Sequence, residues 1–496
     1  MEILYRSTRS DTAPITASQA ILKGLADDGG LFVPTAIPHL DKSIAELSAM
    51  SYQDVAYEVM KLMLTDYTEE ELRSCIRAAY DDKFDTPEIA PMKRAGGAWY
   101  LELFHGSTIA FKDMALSILP HLMITAAKKN HEDKEIVILT ATSGDTGKAA
   151  LAGFANVAGT RIVVFYPKDG VSSIQKRQMV TQEGDNTCVI GIDGNFDNAQ
   201  TGVKRIFTDA ALRARMAEAG FLFSSANSIN IGRLVPQIVY YVYAYTRLCA
   251  GGDIREGEQV NFVVPTGNFG NILAAYYAKQ MGIPVHRLIC ASNSNKVLYD
   301  FFQTGEYDRN RDFILTSSPS MDILVSSNLE RLIYHIAGDD AAKDAGFMKE
   351  LAEKGAYRIT DEMRAKLSDF CGGYASEEDT AAAIRTMYEN ERYVIDPHTA
   401  VAASVYGKYQ AASGDVTPTV IASTASPFKF ESSVMKALGK SVDMDDLDLA
   451  DELSRIAGVP VPQAVAGLRG KAVRHTTICG KEKAAMQAEV ERFLGI

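Results

Sequence analysis

The sequence predicts an α/β fold, a mainly parallel sheet covered by helices on both sides, preceded by a helical N-terminal unit. Three observations carry this. From about residue 97 onward, short β-branched runs alternate with helix-length segments. Those runs are apolar on both faces, as strands of a parallel sheet are when helices cover both sides. Several of them lead directly into glycine- and hydroxyl-rich loops, at the strand ends where open α/β sheets bind ligands.

Taken in order, residues 1–95 open with an extended piece. The helical apolar spacing of Ser18 to Leu25 then stops at Asp27-Asp28-Gly29-Gly30. Leu31 to Pro34 reads as extended, and Tyr52–Leu64 and Glu69–Tyr80 as two amphipathic helices. Residues 96–430 form the α/β region, with strands expected at Ile136–Ala141, Arg161–Tyr166, Cys188–Ile192, Val260–Val264, Arg287–Ala291 and Thr419–Ala422. A smaller subdomain is expected at about 130–250, and a charged, mostly helical insertion at about 305–395. Residues 431–496 form a C-terminal helical segment, broken at Pro460-Val461-Pro462. Its acids, Asp443 to Glu452, lack the central glycine and later glutamate of a calcium loop and read as a solvated helix start. No period of 20–50 residues recurs, which excludes a solenoid.

The 496 residues are enough for two or three packed units. A net charge of −12 argues against nucleic-acid binding and against an anionic membrane surface. No apolar run approaches the roughly 20 residues of a membrane span. The N-terminus lacks the pattern of a signal peptide, so a cytoplasmic location is expected. The six cysteines are scattered without a C-x-x-C pair, pointing to reduced thiols and no metal site.

Four segments carry candidate chemistry. In Phe104 to Asp113, a strand (Trp99 to Leu103) feeds a small polar turn, and Lys112 stands at the threshold of a helix expected over Met114–Lys128. A helix dipole and apolar neighbours lower a lysine's pKa, and an unprotonated amine is what Schiff-base chemistry needs. The same position also suits a surface lysine. The second segment, Thr140 to Lys148, joins a strand to a helix expected over Ala149–Ala158. Its glycines and hydroxyls at a helix start can present N–H groups to an anion or simply make a tight turn. The third, Pro265 to Asn271, has the same setting before a helix expected over Ile272–Gln280. Gly267 and Gly270 can let successive N–H groups converge on a phosphate, and the spacing is not that of a dinucleotide fingerprint. The fourth, Ile421 to Pro427, places small hydroxyls at the end of a late strand, as a cap or as a ligand loop.

Together these segments resemble the threonine synthase family in its longer form. The match runs from Tyr5-Arg6-Ser7-Thr8-Arg9 and Gly24 to Pro34 through to Ser423-Thr424-Ala425-Ser426-Pro427-Phe428-Lys429-Phe430. The resemblance implies fold type II with two open, mainly parallel twisted sheets flanked by helices. It implies pyridoxal 5′-phosphate as cofactor, bound by Lys112 of an H-G-x-T-x-A-F-K-D motif in which Ser107 stands where many relatives have proline. Lys112 is also the implied proton carrier. Gly267, Asn268, Phe269, Gly270 and Asn271 would cradle the cofactor phosphate, and Thr424 would face the pyridine nitrogen. Asp145 would lie on the cofactor side. Thr108, Ser143, Gly144 and Thr146 would meet the substrate. The implied reaction turns O-phospho-L-homoserine and water into L-threonine and phosphate. The substrate's own phosphate is assigned to Asn227, Ser228, Asn230 and Arg233, with Lys148 as a further candidate, because arginine at a helix start suits bidentate phosphate binding. His105 and His398 are read as packing or hydrogen-bonding histidines. A monomer or weak homo-oligomer is expected. The rival readings are a pyridoxal-phosphate lyase of the same fold that eliminates phosphate without adding water, a serine/threonine dehydratase, and a non-catalytic metabolite-binding protein on a relict enzyme fold.

Overall fold

The structure is a computed structural model that describes residues 2–142, 144–169, 171 and 173–496. Its larger sheet has six strands in the order Phe370–Tyr374, Val285–Ser292, Val260–Pro265, Thr419–Ser423, Ala98–Glu102, Met92–Ala95. All neighbours are parallel except the terminal hairpin, Met92–Ala95 with Ala98–Glu102. The smaller sheet is wholly parallel, in the order Ile478–Gly480, Thr187–Asp193, Thr160–Pro167, Glu135–Ala141, Phe221–Ser224. Thr419–Ser423 and Val260–Pro265 are buried at every position, which explains why their sequences show no alternation. Among the described residues no helix is long and apolar enough to cross a membrane.

The N-terminal unit pairs Tyr5–Ser7 antiparallel with Phe32–Pro34 and adds helices Ala17–Lys23, Tyr52–Met63 and Glu69–Ala79. Thr16 and Thr68 close capping boxes with Gln19 and Glu71, satisfying N–H groups that would otherwise lack partners. The unit packs against a 21-residue helix, Ile231–Gly251, whose buried Tyr240, Tyr241 and Tyr245 join it to the α/β region.

The structure differs from the sequence reading at several elements, of which four are as follows. The helix expected over Met114–Lys128 is two, Asp113–Leu116 and Leu119–Lys129, because Pro120 cannot donate into a continuous ladder and instead starts a new helix. The helix expected from Ala149 begins at Asp145. The insertion supplies the edge strand Phe370–Tyr374, whose glycines hid it: a Cβ on Gly373 would lie 2.4 Å from Val405. The C-terminal segment is not only helical, since Ile478–Gly480 extends the smaller sheet.

Candidate functional site

Lys112 is the N-cap of Asp113–Leu116, at the C-terminal end of the larger sheet. Its loop is held tightly. The Thr108 backbone N–H (2.8 Å) and hydroxyl (2.6 Å) both donate to the buried Asp113 carboxylate. Phe111 N–H donates to Thr424 C=O at 2.8 Å, and Ser426 N–H to Ile109 C=O at 3.0 Å. The Lys112 Nζ donates to Ser320 Oγ at 3.2 Å and stands 3.9 Å from Asp145 Oδ2. Burial pulls its pKa down from 10.5 to about 8, with Lys429 and Arg233 pushing the same way against Asp145.

Asp145 opens the helix Asp145–Phe154 and is 7% exposed. Its carboxylate accepts from Gln175 Nε2 (2.9 Å) and Ser320 Oγ (3.0 Å) and pairs with Lys429 Nζ (3.0 Å). Burial alone would raise its pKa, but Lys429 and Lys112 outweigh burial and hold it well below the usual carboxylate range. The loop before it is shaped by Thr142 Oγ1, which accepts from the N–H groups of Gly144 and Gly147, each at 2.9 Å. Gly144 has φ of 143°, and a Cβ there would meet Gln175 at 2.5 Å, so only glycine fits. Ser143 lies outside the described residues. Thr146 is half-buried beside Asp145. Lys148 points instead to Gln182 Oε1, and burial lowers its pKa to about 7.

The glycine loop at 267–271 ends Val260–Pro265 and starts the helix Gly270–Gln280. Phe269 takes a left-handed conformation (φ 63°), which turns the chain into that helix. Asn268 C=O accepts from Asn328 N–H (3.0 Å) and Nδ2 (2.9 Å). Asn271 Oδ1 accepts from the hydroxyls of Tyr240 (2.7 Å) and Tyr241 (2.6 Å). Arg233 is 3% exposed in the first turn of Ile231–Gly251, and burial lowers its pKa to about 10. It donates to Ala226 C=O at 3.1 Å. Of the other residues assigned to the substrate phosphate, Asn227 is exposed and Ser228 half-buried. Asn230 is committed within the protein: it caps its helix through Gly232 N–H and donates to Ile21 and Ser225 carbonyls.

Thr424 is buried at the end of Thr419–Ser423, with its hydroxyl in no hydrogen bond among the described residues. Sequence reasoning missed four residues of the network around Lys112 and Asp145. Ser320, in the short turn Pro319–Met321, touches both Lys112 and Asp145. Gln175 covers Gly144. Lys429 is fully buried in the turn Pro427–Lys429 and also donates to Thr108 C=O at 2.9 Å. Asp396 accepts from His398 Nδ1 (2.7 Å), leaving Nε2 to accept from Ser320 N–H (3.2 Å). His105 is set apart, its ring held by Asp85 and Glu102; burial would lower its pKa, but the two carboxylates raise it to about 9.

The residues fit a phosphorylated aldehyde cofactor. No described residue accepts from the N–H groups of Gly267, Asn268 or Phe269. The buried Asn271 Nδ2 of the same loop also has no partner among the described residues. Buried donors left unpaired are costly unless an anion takes them. That loop therefore suits a phosphate, and Lys112 could supply an amine for the aldehyde.

The comparisons agree with that chemistry. The chain matches the models for the threonine synthase N terminus (residues 4–80), pyridoxal-phosphate dependent enzymes (93–426) and the threonine synthase C-terminal region (399–490). It is 38% identical to the threonine synthase of Eremothecium gossypii, over 92% of this chain and 93% of that protein. It is 41% identical to threonine synthase-like 1 of Macaca fascicularis over 85% of this chain, but spans only 58% of that relative's length. The solved structure of pyridoxal-phosphate-bound threonine synthase from Brucella melitensis superimposes with a TM-score of 0.86 at 33% identity, each chain covered completely. The chain belongs to the threonine synthase family of fold type II, pyridoxal-phosphate-dependent enzymes.

Proposed function

We propose that the protein converts O-phospho-L-homoserine and water to L-threonine and phosphate. The observation that carries this reading is a buried lysine, Lys112, that bonds the Ser320 turn against which the 267–271 loop and its unpaired phosphate-type donors are packed. Lys112 would hold the cofactor, residues 267–271 its phosphate, and Thr424 its ring nitrogen. A neutral hydroxyl at that nitrogen suits elimination better than a carboxylate would, because it does not enforce protonation there. When bound, the cofactor supplies an electron sink for the carbanions formed as protons leave the substrate.

The chain's own groups then handle protons and orientation. With a pKa of about 8, Lys112 Nζ exists partly as the free amine near neutrality and can take the substrate's Cα proton and return one. Ser320 Oγ and Asp145 fix where that amine points. His398, held by Asp396, anchors Ser320 through its backbone N–H. Arg233, with an unpaired Nε, is the strongest candidate for the substrate's phosphate. Gly144 and Thr146, together with Ser143, are assigned to the remainder of the substrate, whereas Thr108 is committed to Asp113 and Lys429 and holds the Lys112 loop instead. Purified protein supplied with pyridoxal phosphate and phosphohomoserine should release threonine and phosphate in equal amounts. Formation of 2-oxobutyrate without threonine would contradict this function.

A further inference from the structure

A carboxylate beside the amine of Lys112 poses a problem. Left alone, Asp145 would stabilise a proton on that nitrogen and keep it from acting as a base. Lys429 answers it. This lysine has no exposed side-chain surface, lies between Phe428 and Phe430, and reaches Asp145 Oδ1 at 3.0 Å. Its second hydrogen bond, to Thr108 C=O, ties the same ammonium to the loop that carries Lys112. One cation thus links three segments remote in sequence: the Thr424 loop, the Lys112 loop and the Asp145 helix. A buried lysine with no role would be costly to keep charged, so its carboxylate partner and its place beside the reacting amine require an explanation.

We propose that Lys429 is a positioning residue that neutralises Asp145, so that Asp145 orients Ser320, Gln175 and Lys112 without locking a proton on Lys112. The proposal rests on Lys112 as the cofactor lysine. The charged groups facing Lys112 are Asp145 on its helix, Lys429 on the late turn, Arg233 on the long helix and Asp113 on its own short helix; His398 faces Asp145.

The test is a pH titration of the visible cofactor band in the holoenzyme, for Lys429→Met, Asp145→Asn and the double variant. Lys429→Met leaves Asp145 uncompensated, and the midpoint should rise by about one pH unit or more. Asp145→Asn leaves Lys429 uncompensated, and the midpoint should fall. The double variant should return close to the wild-type midpoint. A merely structural lysine would lower the melting temperature of both Lys429 variants equally and leave the midpoints in place. An unmoved midpoint in Lys429→Met, or a double variant no nearer wild type than that single one, overturns the proposal. Should Lys429→Met fail to fold, Lys429→Gln decides, since it keeps a hydrogen-bonding head without the charge: an upward shift supports the proposal and an unchanged midpoint overturns it. The band reports on Lys112 whether or not phosphohomoserine is turned over, so failure of the threonine reaction leaves this test standing.

Discussion

Gly267→Ala puts a single methyl group against backbone at one of the closest approaches in the site. The ideal Cβ would lie 2.4 Å from Ser320 C=O, whereas real Cβ contacts essentially never fall below 3.0 Å. Either the glycine loop or the Pro319–Met321 turn must therefore retreat by at least 0.6 Å. Neither neighbour is a flexible side-chain tip, so the displacement passes into backbone. Movement of the turn would stretch the Ser320 Oγ–Lys112 Nζ bond, now 3.2 Å, beyond useful hydrogen-bond range. Movement of the loop would pull its N–H groups off the phosphate. Overpacking of this kind costs about 1–3 kcal/mol of stability. Misplacement of a catalytic group by a fraction of an ångström should lower kcat by about tenfold or more. The assays are calorimetric melting, equilibrium titration with pyridoxal phosphate and steady-state kinetics. Gly346→Ala is the matched control: it lies mid-helix in Ala341–Lys354 with nothing within 4 Å of its Cβ, and should gain about 0.5–1 kcal/mol. The reasoning is refuted if Gly267→Ala melts, binds cofactor and turns over like wild type.

Four further outcomes follow from the site. Lys112→Ala should abolish both the visible cofactor band and turnover; a band retained and fixed by borohydride to another lysine would refute the assignment. In cofactor-free protein, labelling of Lys112 by an amine-directed reagent should rise with pH through a midpoint near about 8, because the reagent needs the neutral amine; a midpoint near the ordinary 10.5 would contradict the buried setting. Arg233→Met should raise the KM for phosphohomoserine by about tenfold or more, since a buried charged partner is lost, and an unchanged KM removes Arg233 from the phosphate site. Asn230→Ala should lower stability by about 1–2 kcal/mol through loss of its cap; calorimetry showing no loss would contradict its reading as a clamp between the long helix and Ile21.

The parts legible in the sequence were those written locally. Val260–Pro265 and Glu135–Ala141 announce themselves as apolar runs, and each leads into a loop whose glycines have geometric reasons to be glycine. Lys112 could be singled out because its whole motif lies within ten residues. Its partners could not. Ser320 lies 208 residues away, and Lys429 is 321 residues from the Thr108 carbonyl it binds. Only the fold brings them together. Lys429 did carry a faint signal, a lysine set between two phenylalanines after Pro427, where a solvated charge is out of place. Asn230 shows the opposite limit: residue type suggested a phosphate ligand, but its amide is already spent on capping and on Ile21 and Ser225. Phe370–Tyr374 was hidden because glycine, unfavourable in strands, is needed there for Val405 to pack.

The central claim is tested most directly by running the reaction in water enriched in oxygen-18 and weighing both products. Elimination followed by water addition breaks the substrate's carbon–oxygen bond, so the phosphate departs with the original bridging oxygen and water supplies the new hydroxyl. The account predicts one label in the β-hydroxyl of threonine, none gained by phosphate, and one phosphate per threonine. Label in phosphate with homoserine as the other product, or 2-oxobutyrate in place of threonine, would contradict it.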